Sequence, residues 1–285
     1  MADNTITFGC NLSVDNFWDL PEFAKRAEDL GFDRVAIGEH VMDGNPPRPT
    51  AMGLPAMAAA AGATTRLRVL TGIVIAPLYH PVMLAKLVAT VDQISGGRLD
   101  FGIGISGQRD TRAEFDALEI PVNTRGRRTD EILRAMKQLW QEDHVSHHGR
   151  FFNYDDVTLL PKPFQQPYPP IWVAGRSDAA VRRAAIAGDG WYPYLFTVNR
   201  LRRSNASVRD MAEQSGRDLS RFHWGAEDIA RALCITGNAE DCIGAVQERI
   251  DAGVRDFVFG FLAGEADDYF RQMELFSSRV LTHFK

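Results

Sequence analysis

The sequence predicts an α/β protein folded as a (β/α)8 (TIM) barrel. Eight short apolar runs typical of strands alternate with segments whose apolar residues recur at helical spacing. Between residues 72 and 107, two apolar runs that end in glycine flank a helix and leave no room for a hairpin, so these strands must be parallel neighbours. The length of 285 residues also suits one barrel. An open doubly wound sheet is the alternative that shares the alternation.

The apolar runs and the helical patterns give the bounds of each predicted element in chain order. Strands are predicted at residues 5–12, 34–38, 66–76, 98–105, 170–174, 190–195, 229–235 and 256–262. Helices are predicted at residues 15–30, 51–64, 81–94, 112–118, 127–140, 178–187, 199–213, 239–252 and 265–284. Residues 1–285 are expected to form a single barrel domain with an insertion hairpin at about 144–163, where turn residues separate short β-type runs.

Local signals support these bounds. The first helix is followed by Gly31, which suits a C-cap. The second helix is rich in alanine, and the helix at 127–140 places its large apolar side chains on one face. A Pro-Xaa-Xaa-His-Pro turn precedes the third helix, and a Gly-Gly turn follows it.

The composition argues against several functional classes. A net charge of −5 disfavours binding to nucleic acids. No apolar run approaches the roughly 18 residues that span a membrane, and the N-terminal residues lack a signal-peptide pattern. Three cysteines, Cys10, Cys234 and Cys242, are too few and too scattered for a disulfide framework or a zinc site. We therefore expect a cytoplasmic protein that binds a small organic molecule and no metal ion.

Active sites of such barrels lie at the carboxyl ends of the strands. His40 follows the second strand and is of a type that titrates near neutral pH, so it is the candidate for proton transfer, with Glu39 beside it to orient the ring. The alternative is a histidine with a structural role. The first strand ends without a pair of metal-binding histidines, and the chain has no nucleophile elbow or P-loop.

Gly102, Gly104 and Gly107 fit the spacing G-x-G-x-x-G, but a dinucleotide-binding fold is not favoured. That fingerprint opens a helix directly and is followed about 20 residues later by an acidic residue. Residues 122–124 of this chain read Val-Asn-Thr instead. The glycines are expected to form a flat wall for a planar ring or a phosphate, or else to let the barrel pack tightly.

Gly175, Arg176 and Ser177 follow the fifth strand and open a helix. The free N–H groups of a helix start, together with Arg176 and Ser177, can bind an anion. The other interpretation is that Ser177 serves only as the N-cap. The position on the functional rim of the barrel favours the anion site.

Several segments together resemble the luciferase-like monooxygenase superfamily, especially its branch of oxidoreductases that depend on the deazaflavin coenzyme F420. They read AEDLGFDRVAIGEH, TRLRVLTGIVIAPLYHPVMLAKLVATVDQISGGRLDFGIG, NTRGRRTDEILRAMKQLW, GRFFNYDDVTLLPKPFQQPYPPIWVAG and AGDGWYP. The resemblance implies a barrel with insertion segments and a flavin or deazaflavin lying across the strand ends.

The resemblance also implies site residues. His40 lies where this family has its active-site histidine, and residues 72–74 correspond to a bulge under the ring that often carries a non-prolyl cis peptide. The residues expected to bind the cofactor are Gly72, Ile73, Val74, Ala76, Gly104, Ser106, Gly107, Gly175, Arg176 and Ser177. Those expected to line the substrate pocket are Asn11, Trp191 and Tyr194.

One departure from the family pattern follows the glycine-rich strand, where many members have Gly-Trp and this chain has Ser106-Gly107. Loss of a large aromatic side chain there is expected to open the pocket or to change what covers the ring. The predicted function is an oxidoreductase that transfers a hydride between F420 and a small organic substrate, in an expected homodimer. The alternatives are a monooxygenase that uses FMNH2 supplied by a partner flavin reductase, and a catalytically silent flavin-binding paralogue.

Overall fold

Parallel strands and surrounding helices form the computed structural model, which describes residues 5–14, 16–44, 48–107, 111–194, 196–228, 235–261 and 266–285. The strands are β1 (Thr7–Asn11), β2 (Arg34–Ile37), β3 (Arg68–Thr71), β4 (Val74–Ile75), β5 (Leu99–Gly104), β6 (Val145–His148), β7 (Asn153–Val157), β8 (Ile171–Ala174), β9 (Gly190–Tyr192), β10 (His223–Asp228) and β11 (Asp256–Phe259). The main helices are α1 (Leu20–Asp29), α2 (Gly53–Ala63), α3 (Pro81–Ser95), α4 (Thr111–Ala117), α5 (Arg125–Gln141), α6 (Asp178–Ala187), α7 (Val198–Gln214), α8 (Ala239–Asp251) and α9 (Ala266–Phe276).

The barrel strands close into a ring. The hydrogen-bonded order runs β1, β2, β3, β5, β8, β9, β10 and β11, and β11 pairs again with β1. Every pair in the ring is parallel. The short strand β4 also pairs with β5, so β3 and β4 share one of the eight positions. The predicted (β/α)8 barrel is confirmed, and the open doubly wound sheet is excluded.

A bulge separates β3 from β4. Leu70 pairs with Asp100, and Val74 pairs with Ile103. The chain therefore advances four residues from β3 to β4, whereas the paired segment of β5 advances three. One extra residue on one strand is the definition of a β-bulge. The peptide bond between Gly72 and Ile73 is cis. The predicted bulge is confirmed, and it carries the non-prolyl cis peptide that often accompanies it in the family.

Side chains alternate between the inside and the outside of the barrel because successive strand residues point to opposite faces. Phe8, Cys10 and Val35 belong to the main core between strands and helices. A separate cluster lies inside the ring and consists of Ala36, Leu70, Trp172, Tyr192 and Val258. The barrel interior is therefore filled below the strand ends, which leaves the carboxyl-end rim as the place for a ligand.

The amino end of the barrel holds a buried ionic network. Arg34 lies 2.8 Å from Asp256 and 3.7 Å from Asp100, and Arg68 lies 2.6 Å from Asp100. Burial alone would raise the pKa of Asp256, but Arg34 and His223 outweigh it and hold that pKa below its usual range. Paired charges of this kind satisfy one another where water is excluded.

The seventh barrel strand lies earlier in the chain than predicted. It is β10, whereas the prediction placed it at 229–235, of which 229–234 fall outside the described residues. The sequence of β10, HWGAED, holds a glycine and two acidic residues, which are uncommon in strands. Pairing with β9 and β11 on its two sides overrides this weak local preference.

The insertion is present as a hairpin, since β6 and β7 pair antiparallel within the predicted 144–163 segment. No helix in the described parts of the chain is long and apolar enough to cross a membrane.

Candidate active site

The glycines of β5 make room for the bulge. A Cβ on Gly102 would lie 1.9 Å from the carbonyl oxygen of Thr71, and one on Gly104 would lie 2.7 Å from Cδ1 of Ile73. The Thr71 hydroxyl accepts a hydrogen bond from the Gly102 N–H (2.8 Å) and donates one to its carbonyl (2.9 Å). The prediction that Gly104 forms an open wall for a ring is therefore wrong, because the Ile73 side chain fills that space.

Glu39 holds the bulge from the side of β2. Its buried carboxylate accepts hydrogen bonds from the Gly53 N–H (3.0 Å), the Ile75 N–H (3.0 Å) and the Tyr79 hydroxyl (2.9 Å). Its own N–H donates to the carbonyl of Ile73 (3.2 Å). Burial raises the pKa of Glu39, although these donors oppose the shift. Glu39 thus joins α2, the bulge and the turn before α3.

His40 is held by Glu114 of α4. The Nδ1 atom of His40 lies 2.8 Å from Oε1 of Glu114, whose side chain is 1% exposed. The other oxygen of Glu114 accepts the Val41 N–H at 2.7 Å. The predicted orientation of His40 by Glu39 is corrected accordingly, because the Glu39 carboxylate is engaged by Gly53, Ile75 and Tyr79.

The turn after β8 fits both interpretations made from the sequence. Gly175 has a φ of 128°, and a Cβ there would lie 2.8 Å from the side chain of Ala180. The Ser177 hydroxyl accepts the Ala180 N–H at 3.3 Å and so caps α6. Its hydrogen remains a possible donor to an anion, because a hydroxyl both accepts and donates. Arg176 is exposed beside this helix start.

The ends of β5, β8 and β9 meet at this turn. The Arg176 guanidinium lies over the Tyr194 ring, 4.8 Å from its centroid. A Cβ on Gly107 would lie 3.6 Å from the Tyr194 hydroxyl. Three of the predicted site residues, Gly107, Arg176 and Tyr194, thus lie together.

Other predicted site residues lie away from the rim. Trp191 is 1% exposed, packs on Phe196 in the outer core, and donates its indole N–H to the Gly175 carbonyl at 3.2 Å. It is Tyr192 that points into the barrel, because adjacent strand residues face opposite sides. Trp191 was therefore wrongly predicted as a pocket residue.

The residues predicted to bind the cofactor or substrate near the bulge, β5 and β1 differ in exposure and in backbone conformation. Val74 and Ala76 are both 0% exposed, so their predicted direct contact with a cofactor is wrong, whereas Gly72 and Ile73 are partly exposed. Ser106 has a φ of 55°, a left-handed conformation that is unusual for serine. At the end of β1, Asn11 is partly exposed, and its carbonyl accepts the Tyr269 hydroxyl at 2.6 Å.

Sequence reasoning missed Glu114 and Tyr192. Glu114 stands on a short helix next to a buried phenylalanine, which hinted that this carboxylate also faces inward. No sequence pattern links it to its partner, His40, 74 positions earlier. Tyr192 could have been predicted from strand alternation, because adjacent residues of a strand point to opposite faces and Trp191 faces outward.

Comparison with known proteins places this geometry in a family context. The family model described as luciferase-like monooxygenase matches residues 5–229. An FMNH2-dependent dimethylsulfone monooxygenase from Pseudomonas putida is 35% identical over 157 residues, covering 54% of this chain and 42% of that protein. An F420-dependent glucose-6-phosphate dehydrogenase from Kineococcus radiotolerans is 33% identical over 194 residues, covering 65% of this chain and 56% of that protein. The chain thus spans about half the length of these curated relatives.

Among solved structures, an F420-dependent secondary alcohol dehydrogenase in complex with an F420-acetone adduct superposes with a TM-score of 0.84. It is 20% identical, with coverage of 97% of this chain and 98% of that chain. This similarity establishes the fold. The named relatives use two different cofactors, F420 and FMNH2.

Proposed function

Because the chain belongs to the luciferase-like monooxygenase family, we propose that it transfers a hydride between coenzyme F420 and a small organic substrate. The observation that carries the proposal is the pairing of His40 with the buried Glu114 at the strand-end rim. A histidine fixed through one ring nitrogen keeps the other for proton transfer. Hydride transfer to a carbonyl, or from an alcohol, requires such a proton donor or acceptor.

The residues of the rim fit a flavin-type group with a phosphate. Gly72 and Ile73 are partly exposed on the bulge, where backbone is accessible to a planar ring. The α6 start offers N–H groups, the Ser177 hydroxyl and the Arg176 guanidinium to an anion. F420, when bound, accepts or supplies two electrons as a hydride. The protein binds and orients it and moves the proton.

The proton step is assigned to His40. When an alcohol is oxidised, its hydroxyl proton passes to Nε2 of His40 as the hydride leaves carbon and the C=O bond forms. When a carbonyl is reduced, the protonated ring returns that proton to oxygen. Glu39 supports the floor of the site by holding Ile75, and it takes no part in the proton transfer.

The second candidate is a two-component monooxygenase that uses FMNH2 from a partner flavin reductase. The 35% identical relative from Pseudomonas putida favours it. An anion turn of this kind can serve the phosphate of either cofactor. The Ser106-Gly107 departure bears on what covers the ring and does not choose between them.

Titration with F420 and with FMN tests the proposal. We expect F420 to bind more tightly than FMN. One member of a panel of alcohols should reduce bound F420, or an aldehyde or enone should oxidise bound reduced F420 (F420H2). Tighter FMN binding, with oxygen-dependent turnover of a substrate on adding a reductase, would support the monooxygenase. Tight F420 binding with no turnover across the panel would indicate the silent paralogue.

The His40→Ala variant tests the proton role. Turnover is expected to fall by about 10²–10⁴, the usual contribution of a general acid or base, while F420 affinity stays close to wild type. His283→Ala is the matched control, because His283 is exposed near the C-terminus, away from the strand ends. Equal turnover in His40→Ala and His283→Ala would reject the role.

A further inference from the structure

We infer that Glu114 is a positioning residue that sets the tautomer of His40. In this assignment Glu114 holds the ring hydrogen on Nδ1 and so presents Nε2 as the proton acceptor. The catalytic consequence rests on the proposed function. The tautomer itself does not, and it can be measured in the protein without cofactor or substrate.

The carboxylate of Glu114 is fixed at both oxygens. Oε1 lies 2.8 Å from Nδ1 of His40, and Oε2 accepts the Val41 N–H at 2.7 Å, with the Met42 N–H at 3.4 Å. The side chain is 1% exposed. A carboxylate bound to backbone in this way cannot turn or move aside without breaking its hydrogen bond to the Val41 N–H. The position of Oε1 opposite Nδ1 is therefore built into the fold.

The chemistry of the pair determines the tautomer. A carboxylate only accepts hydrogen bonds, so the hydrogen between the two groups belongs to Nδ1. In the neutral ring, Nε2 then carries the lone pair. Within the described part of the chain, no hydrogen bond to Nε2 is found. The His40 side chain is 17% exposed, so part of the ring faces the open rim of the barrel.

Glu114 also joins two strand-end segments. It stands on α4, after β5, and its oxygens hold His40, Val41 and Met42 after β2. This places the ring relative to the bulge, because Glu39, the residue before His40, holds Ile75. Glu114 thus orients the His40 ring, and Glu39 holds the bulge next to it.

Glu114→Gln should reverse the tautomer while keeping the side-chain shape. The Val41 N–H requires an acceptor, so the amide oxygen should face Val41 and the NH2 group should face Nδ1. Because an NH2 group only donates, Nδ1 must then accept, and the ring hydrogen must move to Nε2. The acceptor that the proton step requires would be lost, although the ring stays in place.

Glu131→Gln is the matched control. Glu131 is also buried, accepts backbone N–H groups from Phe151 and Phe152, and lies 3.3 Å from Nε2 of His147. This second carboxylate–histidine pair joins α5 to the insertion hairpin. Its loss should cost comparable stability, with no effect on His40 or on turnover.

The experiment measures imidazole 15N shifts in protein labelled on histidine, at alkaline pH where the rings are neutral. The His40 signals are assigned from their absence in His40→Ala. Wild type and Glu131→Gln are expected to show hydrogen on Nδ1 of His40, and Glu114→Gln hydrogen on Nε2. Hydrogen on Nδ1 in Glu114→Gln, or on Nε2 in wild type, would overturn the inference.

Steady-state kinetics distinguish a positioning role of Glu114 from a role in folding. With F420 and propan-2-ol, or the first alcohol that wild type oxidises, Glu114→Gln is expected to lower kcat by about 10²–10⁴. F420 affinity should stay unchanged. An unchanged kcat together with a reversed tautomer would show that the tautomer set by Glu114 does not affect turnover. Failure of wild type to bind F420 would reject the proposed function, while the 15N spectra would still decide the tautomer.

Discussion

Replacement of Gly102 by alanine tests how β5 supports the bulge. The added Cβ would lie 1.9 Å from the Thr71 carbonyl oxygen and 3.3 Å from Cδ1 of Leu70. Carbon and oxygen atoms in close contact stay about 3.3 Å apart or more, so the strands must separate locally by about 1.4 Å. The obstacle is backbone, which cannot change rotamer to make room.

The cost follows from two terms. Forcing an extra carbon into a packed interior costs about 1–3 kcal/mol. The same separation weakens both hydrogen bonds between the Thr71 hydroxyl and Gly102, at about 1 kcal/mol each. We therefore expect the free energy of unfolding to fall by about 3–5 kcal/mol. This is a large share of the 5–15 kcal/mol typical of a folded domain.

Urea unfolding followed by circular dichroism measures the change. Gly62→Ala is the control, because Gly62 lies in α2 with no heavy atom within 4 Å of an added Cβ. Alanine there should stabilise the helix by about 0.5–1 kcal/mol. The midpoint should fall in Gly102→Ala and rise in Gly62→Ala, with similar m-values. A Gly102→Ala midpoint equal to that of wild type would refute the packing argument.

Three further substitutions test the site and the barrel floor. Glu39→Gln must turn an NH2 group toward one of its backbone donors, so the free energy of unfolding in urea should fall by about 1–3 kcal/mol. The affinity for F420 should also fall, and an unchanged affinity would show that Glu39 does not hold the bulge in place for the cofactor. Asp256→Asn removes a charge facing Arg34, at about 3–5 kcal/mol. Since the pKa of Asp256 is held below its usual range, its contribution is present above about pH 4 and is lost as the pH falls through the folded-state pKa; equal acid sensitivity in variant and wild type would contradict this. Ser106→Gly relaxes a φ of 55° and should stabilise by about 1 kcal/mol; a lower urea midpoint would show that the serine side chain contributes more than the backbone conformation costs.

The sequence predicted the barrel because each strand and helix carries its own periodic signal. The seventh strand begins earlier than predicted, because β10, with its glycine and two acidic residues, is specified by its neighbours more than by its own residues. At the site, His40 was predicted from its position at the end of a strand and from the family resemblance, and the bulge was predicted from the resemblance alone. The partner of His40 was not predicted, because Glu114 lies 74 positions later in the chain and no sequence pattern links the two residues. Only the closed barrel shows that Glu39 is already occupied by Gly53, Ile75 and Tyr79.

The glycines of β5 show why a motif and its physical cause can differ. Their spacing suggested a surface made for a ligand, but Gly102 and Gly104 lie beneath Thr71 and Ile73. What they permit is an extra residue on the neighbouring strand, and that residue brings Gly72 and Ile73 to the rim. A ligand would then touch the bulge and not the glycines. Variants of Gly102 should therefore alter cofactor binding through the position of the bulge, whereas variants of Glu114 should alter proton transfer without moving it.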